Sequence, residues 1–285
     1  MMIGIIGAGA VGKSLGMYFN GVDQSVSGYY SKTMAHTIYA AEKINAIAYD
    51  SLKDLILNSD LIIIAVNDDA IEVVVRDLSN ASESLSRKYI LHTSGVHTSE
   101  VLAPLRSKGA KILSVHPLQS FADPDEAQKS IPSTYFSIEG DLDEKMMNWL
   151  NNHKIKYFKI DKENKVKYHL AAVAVSNYLV ATLDFGTKQF ESLGYTKEFA
   201  LKALWPLVEG TINNVRQFGT VKAMTGPIVR GDLKTIDNHL SVLSGLEREL
   251  YSKLGEYTVE IALEKGLDKE IAKGISTRLK EENHG

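Results

Sequence analysis

Two short polar clusters stand directly after β-rich apolar runs: Leu91-His92-Thr93-Ser94-Gly95 and Val115-His116-Pro117-Leu118-Gln119-Ser120-Phe121. An imidazole titrates near neutral pH, so His92 or His116 at a strand end could give or take a proton. Ser94 could orient a carbonyl or carboxylate, but His92-Thr93-Ser94-Gly95-Val96 is not the Gly-x-Ser-x-Gly turn that exposes a nucleophilic serine. A third set lies on a later helical segment, where His169 and Ser176, seven residues apart, share a face with Asn177 beside it. Polar groups that interrupt an apolar stripe need partners, either a bound substrate or a neighbouring helix. Arg230, in Gly226-Pro227-Ile228-Val229-Arg230-Gly231-Asp232, could clamp a substrate carboxylate or phosphate, or pair with Asp232. No His/Asp/Glu set has metal-ligand spacing, so no metal is expected; the absence of cysteine removes thiolate nucleophiles, disulfides and thiolate metal sites.

The most specific pattern is Gly7-Ala8-Gly9-Ala10-Val11-Gly12, which follows the apolar run Ile3-Gly4-Ile5-Ile6 and opens a helical segment. In that setting Gly7 permits a tight strand-to-helix turn, Gly9 lets the backbone approach a diphosphate, and Gly12 allows close packing of helix on sheet. Unpaired amides at the helix start, with the positive end of its dipole behind them, then face the anion. About 20 residues on, a chain that binds NAD carries Asp or Glu for the ribose hydroxyl. Here Gly28-Tyr29-Tyr30-Ser31-Lys32-Thr33 has no carboxylate, and a hydroxyl with an ammonium suits a 2′-phosphate, so Ser31 and Lys32 favour NADP over NAD. A merely solvated Lys32 is the alternative. Val66 and Asn67, after the run Leu61–Val66, are further candidates for cofactor contact, with Asp68 or, better, Asp69 as a helix N-cap.

The elements that must position these residues come in two kinds. Up to about residue 162, β-rich runs (3–6, 24–29, 61–66, 89–92, 111–115 and 135–139) alternate with helical segments, which predicts βαβ units and a doubly wound, mainly parallel sheet. The run 61–66 shows little polar alternation, as a strand covered on both faces should. From residue 163 the β signal ends and apolar residues recur at helical spacing, at Leu170, Val173 and Ala174, then at Leu240, Leu243, Leu246 and Leu250. We therefore expect a Rossmann domain over 1–162 and an all-α domain over 163–285, punctuated by Pro206 and Pro227, with Gly194, Gly210, Gly219 and Gly226 at helix ends or turns.

A chain of 285 residues is long enough for two cores, and 44% hydrophobic with 24% charged residues describes an ordinary soluble protein. A net charge of −3 supplies no basic footprint for nucleic acid or an anionic membrane. No leader-like segment opens the chain, and the apolar stretch Leu170–Leu183 is shorter than the ~20 residues of a membrane helix, so a cytoplasmic location is expected.

Taken together, the glycine motif, His92-Thr93-Ser94-Gly95, His116-Pro117-Leu118-Gln119-Ser120-Phe121, Tyr168-His169-Leu170-Ala171-Ala172 with Ser176-Asn177, and Thr225-Gly226-Pro227 with Arg230-Gly231-Asp232 resemble Rossmann-like proteins carrying the DUF2520 C-terminal domain. That group is related to ketopantoate reductase and pyrroline-5-carboxylate reductase. The resemblance covers nearly the whole chain. It implies an NADP-binding Rossmann domain joined to a helical domain of the 6-phosphogluconate dehydrogenase C-terminal type, with dimerisation through the helices. It also implies reduction of a small oxo acid or imine between the two domains. Better-known relatives place a lysine four residues before an asparagine; four before Asn177 stands Val173, and His169 is the nearest substitute. The expected site is thus His169, Asn177, His116 and Ser94 for catalysis, with Ser176 and Arg230 for substrate. The competing expectation is a non-catalytic NADP-binding sensor or partner-binding dimer on the same fold.

Overall fold

The computed structural model describes residues 1–281 and contains two compact units, Met1–Tyr178 and a second from Leu179 onward. In the first, eight strands form one sheet in the order β3-β2-β1-β4-β5-β6-β7-β8. They are β1 (Ile3–Ile6), β2 (Val26–Tyr30), β3 (Ile47–Ala48), β4 (Leu61–Ile64), β5 (Tyr89–His92), β6 (Lys111–Pro117), β7 (Tyr135–Gly140) and β8 (Lys156–Lys159). All neighbours pair in parallel except β6 and β7, where His116 lies across from Ser137. Between them run α1 (Ala10–Gly21), α2 (Met34–Glu42), α3 (Leu52–Leu57), α4 (Asp68–Ala81), α5 (Ala103–Arg106), α6 (Pro124–Ser130) and α7 (Glu144–Asn152). This is the expected doubly wound Rossmann architecture.

The lack of alternation in Leu61-Ile62-Ile63-Ile64 has its cause in two cores. Leu61 and Ile63 join Ile5, Leu91, Phe19 and Trp149 on one face of the sheet. Ile62 and Ile64 join Ile90, Leu55, Val75 and Leu78 on the other. Each strand side chain therefore loses its water, worth about 1.5–3 kcal/mol per large aliphatic group. β3 and β8 carry no comparable signal. β3 is two residues long, and β8, Lys156-Tyr157-Phe158-Lys159, is an edge strand whose lysines discourage further pairing. β2 begins at Val26 rather than Gln24, whose side-chain oxygen instead accepts from the Trp149 indole N–H at 3.1 Å.

The helices after residue 162 are α8 (Lys165–Val175), α9 (Asn177–Ser192), α10 (Lys197–Ala223), α11 (Pro227–Arg230), α12 (Leu233–Ser241), α13 (Gly245–Lys265) and α14 (Lys269–Lys280), so the described residues there form no strand and the region is helical as expected. α8 packs within the first unit, so the compact boundary falls at Tyr178 and not where the periodicity changes. Pro206 and Gly210 lie inside α10 and end nothing: a proline between two good helical stretches costs one backbone bond but leaves the helix to continue. Gly219, at φ 76°, is a true break. Leu240 and Leu246 belong to different helices, because Ser244 caps α13. Ile228, Ile236, Val259, Ala262 and Ile275 form the core of α11 to α14. The stretch Lys162–Ser192 is long and apolar enough, by length and composition, to cross a membrane, though it is broken between α8 and α9 at Ser176.

Candidate active site

The chain leaves β1 for one side of the sheet and returns through β4 on the other, so the carboxyl ends of these adjacent strands bound the switch point where ligands of such sheets bind. The glycine loop follows β1 there. Gly7 has φ 109°, and a Cβ on it would stand 2.2 Å from the Ala65 carbonyl oxygen; one on Gly12 would stand 2.1 Å from the Gly7 carbonyl oxygen. At both positions a side chain would force the backbone to shift. Gly9 differs, since a Cβ there would meet no atom within 4 Å. Nothing in the fold itself requires glycine at this position, the N-cap of α1, where no side chain caps the helix and no acidic residue stands in its first turn. The unpaired amides of Ala10, Val11 and Gly12 open onto that space, and Ala8 packs partly buried against the core below. A diphosphate fits such a cradle.

At the end of β2 no carboxylate is present. Ser31 is half-buried with its hydroxyl tied to Thr37 Oγ1 at 2.7 Å and to the Thr33 carbonyl at 3.0 Å, whereas Lys32 is exposed and makes no ion pair among the described residues. Lys32 is thus the freer of the two for an anion. Val66 is half-buried against the second core, and Asn67, not Asp68 or Asp69, is the N-cap of α4; its side chain makes no cap bond and remains available. The two aspartates occupy the first turn, where the helix dipole favours negative charge.

The strand-end histidines take different parts. His92 is fully buried at the end of β5, with Nε2 3.0 Å from the Thr98 carbonyl and Nδ1 accepting the Ser94 N–H at 3.2 Å. Both nitrogens are spent on the loop. Burial, helped by the charge of Lys165, pushes its pKa down to about 4. Ser94 Oγ accepts from the amides of Val96 and His97 at 3.3 and 3.1 Å, so this hydroxyl also shapes the loop. His116, half-buried near the end of β6, has Nδ1 2.7 Å from the Tyr168 hydroxyl, and its ring meets that of His169 edge-on at 6.1 Å. A Cβ on Gly95 would stand 2.4 Å from His169 Cδ2 and 3.0 Å from His116 Nε2. The missing side chain at Gly95 lets two imidazole edges converge over one turn of backbone.

Sequence reasoning missed Lys165. It is fully buried at the start of α8, donates to the Ser94 carbonyl at 3.2 Å and the Ser114 hydroxyl at 2.8 Å, and pairs with no carboxylate among the described residues. Burial lowers its pKa to about 8, against the opposing charges of Glu139 and Asp68. An ammonium so placed costs stability unless the site uses it. In the sequence it looks like one more solvated cation among Lys159, Lys162 and Lys167; the available signal was its spacing to Tyr168 and His169, three and four residues on and hence on the same face. It stands twelve residues before Asn177, not four.

The remaining candidates take no part in these contacts. Ser176 and Asn177 are exposed at the break between α8 and α9. Arg230 is exposed at the end of α11, in the second unit, without an ion pair among the described residues; Asp232 instead caps α12 through the Thr235 amide at 3.1 Å. A cleft of about 440 Å³ lined by Arg106, Glu139, Asp141, Lys159 and Lys162 includes neither the glycine loop nor His116. Among the described residues no group of His, Asp or Glu is placed to hold a metal ion.

Comparison with known proteins agrees with this architecture. No curated protein matches the sequence. Among solved structures, protein TM1727 from Thermotoga maritima is 23% identical with a TM-score of 0.62, covering 95% of this chain and 98% of its own. A reductive aminase from Aspergillus terreus in complex with NADPH and ethyl-5-oxohexanoate is 18% identical with a TM-score of 0.61, covering 98% and 92%. A pyrroline-5-carboxylate reductase from Coxiella burnetii is 13% identical with a TM-score of 0.60, covering 98% and 97%. At these identities the likeness is one of fold. A Rossmann-like domain family matches residues 1–117 and the domain of unknown function DUF2520 matches residues 134–258, so the chain is a Rossmann-like protein with a DUF2520 C-terminal domain.

Proposed function

We propose that the protein is an NADP-dependent oxidoreductase acting on a small carbonyl compound, such as an oxo acid, or an imine. The observation that carries this is the Gly9 cradle: a helix start with free amides, no capping side chain, and a glycine that the fold itself does not need. With the carboxylate-free end of β2 and the exposed Lys32 beside it, a 2′-phosphorylated dinucleotide is favoured over NAD. The reductases of similar fold, one of them bound to NADPH, support the same class. The bound cofactor supplies or takes the hydride; the chain binds, orients and handles the proton.

In this reading the amides of Ala10 to Gly12 hold the diphosphate, Lys32 meets the 2′-phosphate, and Val66 and Asn67 border the cofactor. His116, with Tyr168 behind it and His169 at its edge, passes its Nε2 proton to the substrate oxygen or nitrogen as the carbon is reduced, while Nδ1 takes up the Tyr168 hydroxyl proton, which solvent then restores. Ser94 and Lys165 keep the Gly95 turn in place beneath it. Ser176, Asn177 and Arg230 are left as substrate-contacting candidates. We also propose a cytoplasmic homodimer through the helical region: α9 and α10 bury only Thr187 and Ala200, while Val180, Leu207, Trp205 and Phe218 are exposed. The test is a screen of oxo acids, ketones and cyclic imines for oxidation of NADPH by the purified full chain. Turnover lost in His116→Gln supports the assignment; tight NADPH binding without turnover on any substrate would leave a non-catalytic dinucleotide sensor instead.

A further inference from the structure

His116 is held from one side only. Its Nδ1 meets the Tyr168 hydroxyl at 2.7 Å, and Nε2, on the edge facing Gly95 and His169, has no hydrogen bond among the described residues. The other group beside the phenol is the Ser137 hydroxyl, directly across β6 and β7 from His116, which is buried and stands at hydrogen-bond distance from no group among those residues, so the short contact of the phenol is the one to Nδ1. With the phenol donating to Nδ1, a neutral imidazole carries its proton on Nε2, towards the niche. The titratable groups packed around it weigh, on balance, against a second proton. α8 contributes Lys165 and His169, β5 contributes His92, and the first turn of α4 contributes Asp68, the one carboxylate of the set, which makes no ion pair with His116. Burial first, then Lys165 and His169, bring the His116 pKa down to about 4. Lys165 is itself anchored by the Ser94 carbonyl and the Ser114 hydroxyl, so its charge sits at a fixed place.

We propose that Tyr168 and Lys165 hold His116 as an uncharged imidazole with its proton on Nε2, so that the niche over Gly95 recognises a neutral hydrogen-bond acceptor, a carbonyl oxygen, in preference to an iminium or ammonium cation. Lys165 is a positioning residue here: it touches no substrate and acts through the loop it clamps and the field it sets up. The substrate preference rests on the reductase reading, whereas the state of the imidazole belongs to the chain alone. An approaching cation meets a buried ammonium and an uncharged His116, with Asp68 the one carboxylate of the set and not paired to that ring, whereas a carbonyl oxygen meets an N–H.

The experiment is nitrogen-15 NMR of the histidine-labelled full chain, with His116→Gln for assignment. The expected wild-type signal is a neutral ring with the proton on Nε2 and no protonation above about pH 5. Lys165→Met should raise the His116 midpoint by about one unit and Lys165→Arg should leave it low. Tyr168→Phe, which keeps the ring, should yield a mixture of tautomers. A wild-type proton on Nδ1, a midpoint near 6.5, or a midpoint unchanged in a folded Lys165→Met would overturn the proposal. The preference is read on the same signal by adding cyclohexanone or piperidinium in the presence of NADP. A shift with the ketone and none with the ammonium supports it; a stronger response to piperidinium, or none to the ketone, refutes it. Failure of the reductase reading appears separately, as absence of NADP binding or turnover with the imidazole state intact.

Discussion

Replacing Gly9 and Gly12 separately by alanine should divide binding from folding. At Gly12 the new methyl lies 2.1 Å from the Gly7 carbonyl oxygen, which is backbone and cannot swing aside. Overpacking of this kind costs about 1–3 kcal/mol, partly offset by roughly 1 kcal/mol of helix propensity gained over glycine. Gly12→Ala should therefore lower the melting temperature by a few degrees. At Gly9 the methyl meets nothing within 4 Å, and φ −78° with ψ −171° is extended backbone that alanine adopts freely. The small loss of N-cap preference, about 0.5–1 kcal/mol, is offset by a similar reduction in unfolded-chain entropy, leaving stability nearly unchanged. The same methyl occupies the space assigned to the diphosphate, so NADPH affinity should fall about 10–100-fold, or roughly 1.4–2.8 kcal/mol. Thermal melts and calorimetric titration with NADPH read the two effects. A Gly9→Ala protein that binds NADPH like the wild type would refute the cradle, and one that melts many degrees lower would refute the packing analysis.

Three further outcomes follow. Gly95→Ala places a methyl 2.4 Å from His169 Cδ2 and 3.0 Å from His116 Nε2; it should cost about 1–3 kcal/mol and move both imidazole signals in NMR, and unchanged signals would contradict the geometry. Lys32→Ala should weaken NADPH at least tenfold while leaving NADH within about twofold; equal losses for both would show that Lys32 does not meet the 2′-phosphate. His92, uncharged when folded with a pKa of about 4 against the ordinary 6.5 of a solvated imidazole, should make stability full above pH 6.5 and erode it as pH falls towards 4, because the unfolded chain takes up the proton first. The loss for this buried group is at most about 3 kcal/mol, and a folded His92→Gln should show a flatter pH dependence in denaturant titrations.

Much of the framework was legible because it depends on local pattern. Ile3-Gly4-Ile5-Ile6 followed by the three glycines fixes a strand, a turn and a helix together, and the uninterrupted Leu61-Ile62-Ile63-Ile64 announces two buried faces. What stayed hidden depends on contacts distant in sequence. Ser94 carries the residue type of a substrate contact, yet its oxygen is engaged by the amides two and three residues on. Lys165 meets Ser94 and Ser114 from 71 and 51 residues away, and no periodicity encodes that burial. The pairing of Tyr168 with His116 spans 52 residues and was invisible for the same reason. The edge strands β3 and β8 bury little, and strands that bury little write little into the sequence.

The most direct test is calorimetric titration of the wild-type full chain with NADPH, NADP and NAD at physiological ionic strength. Amides at Gly9 that grip a diphosphate predict saturable one-to-one binding per chain, tighter for the 2′-phosphorylated forms than for NAD. No heat with any of the three at millimolar concentration would contradict it.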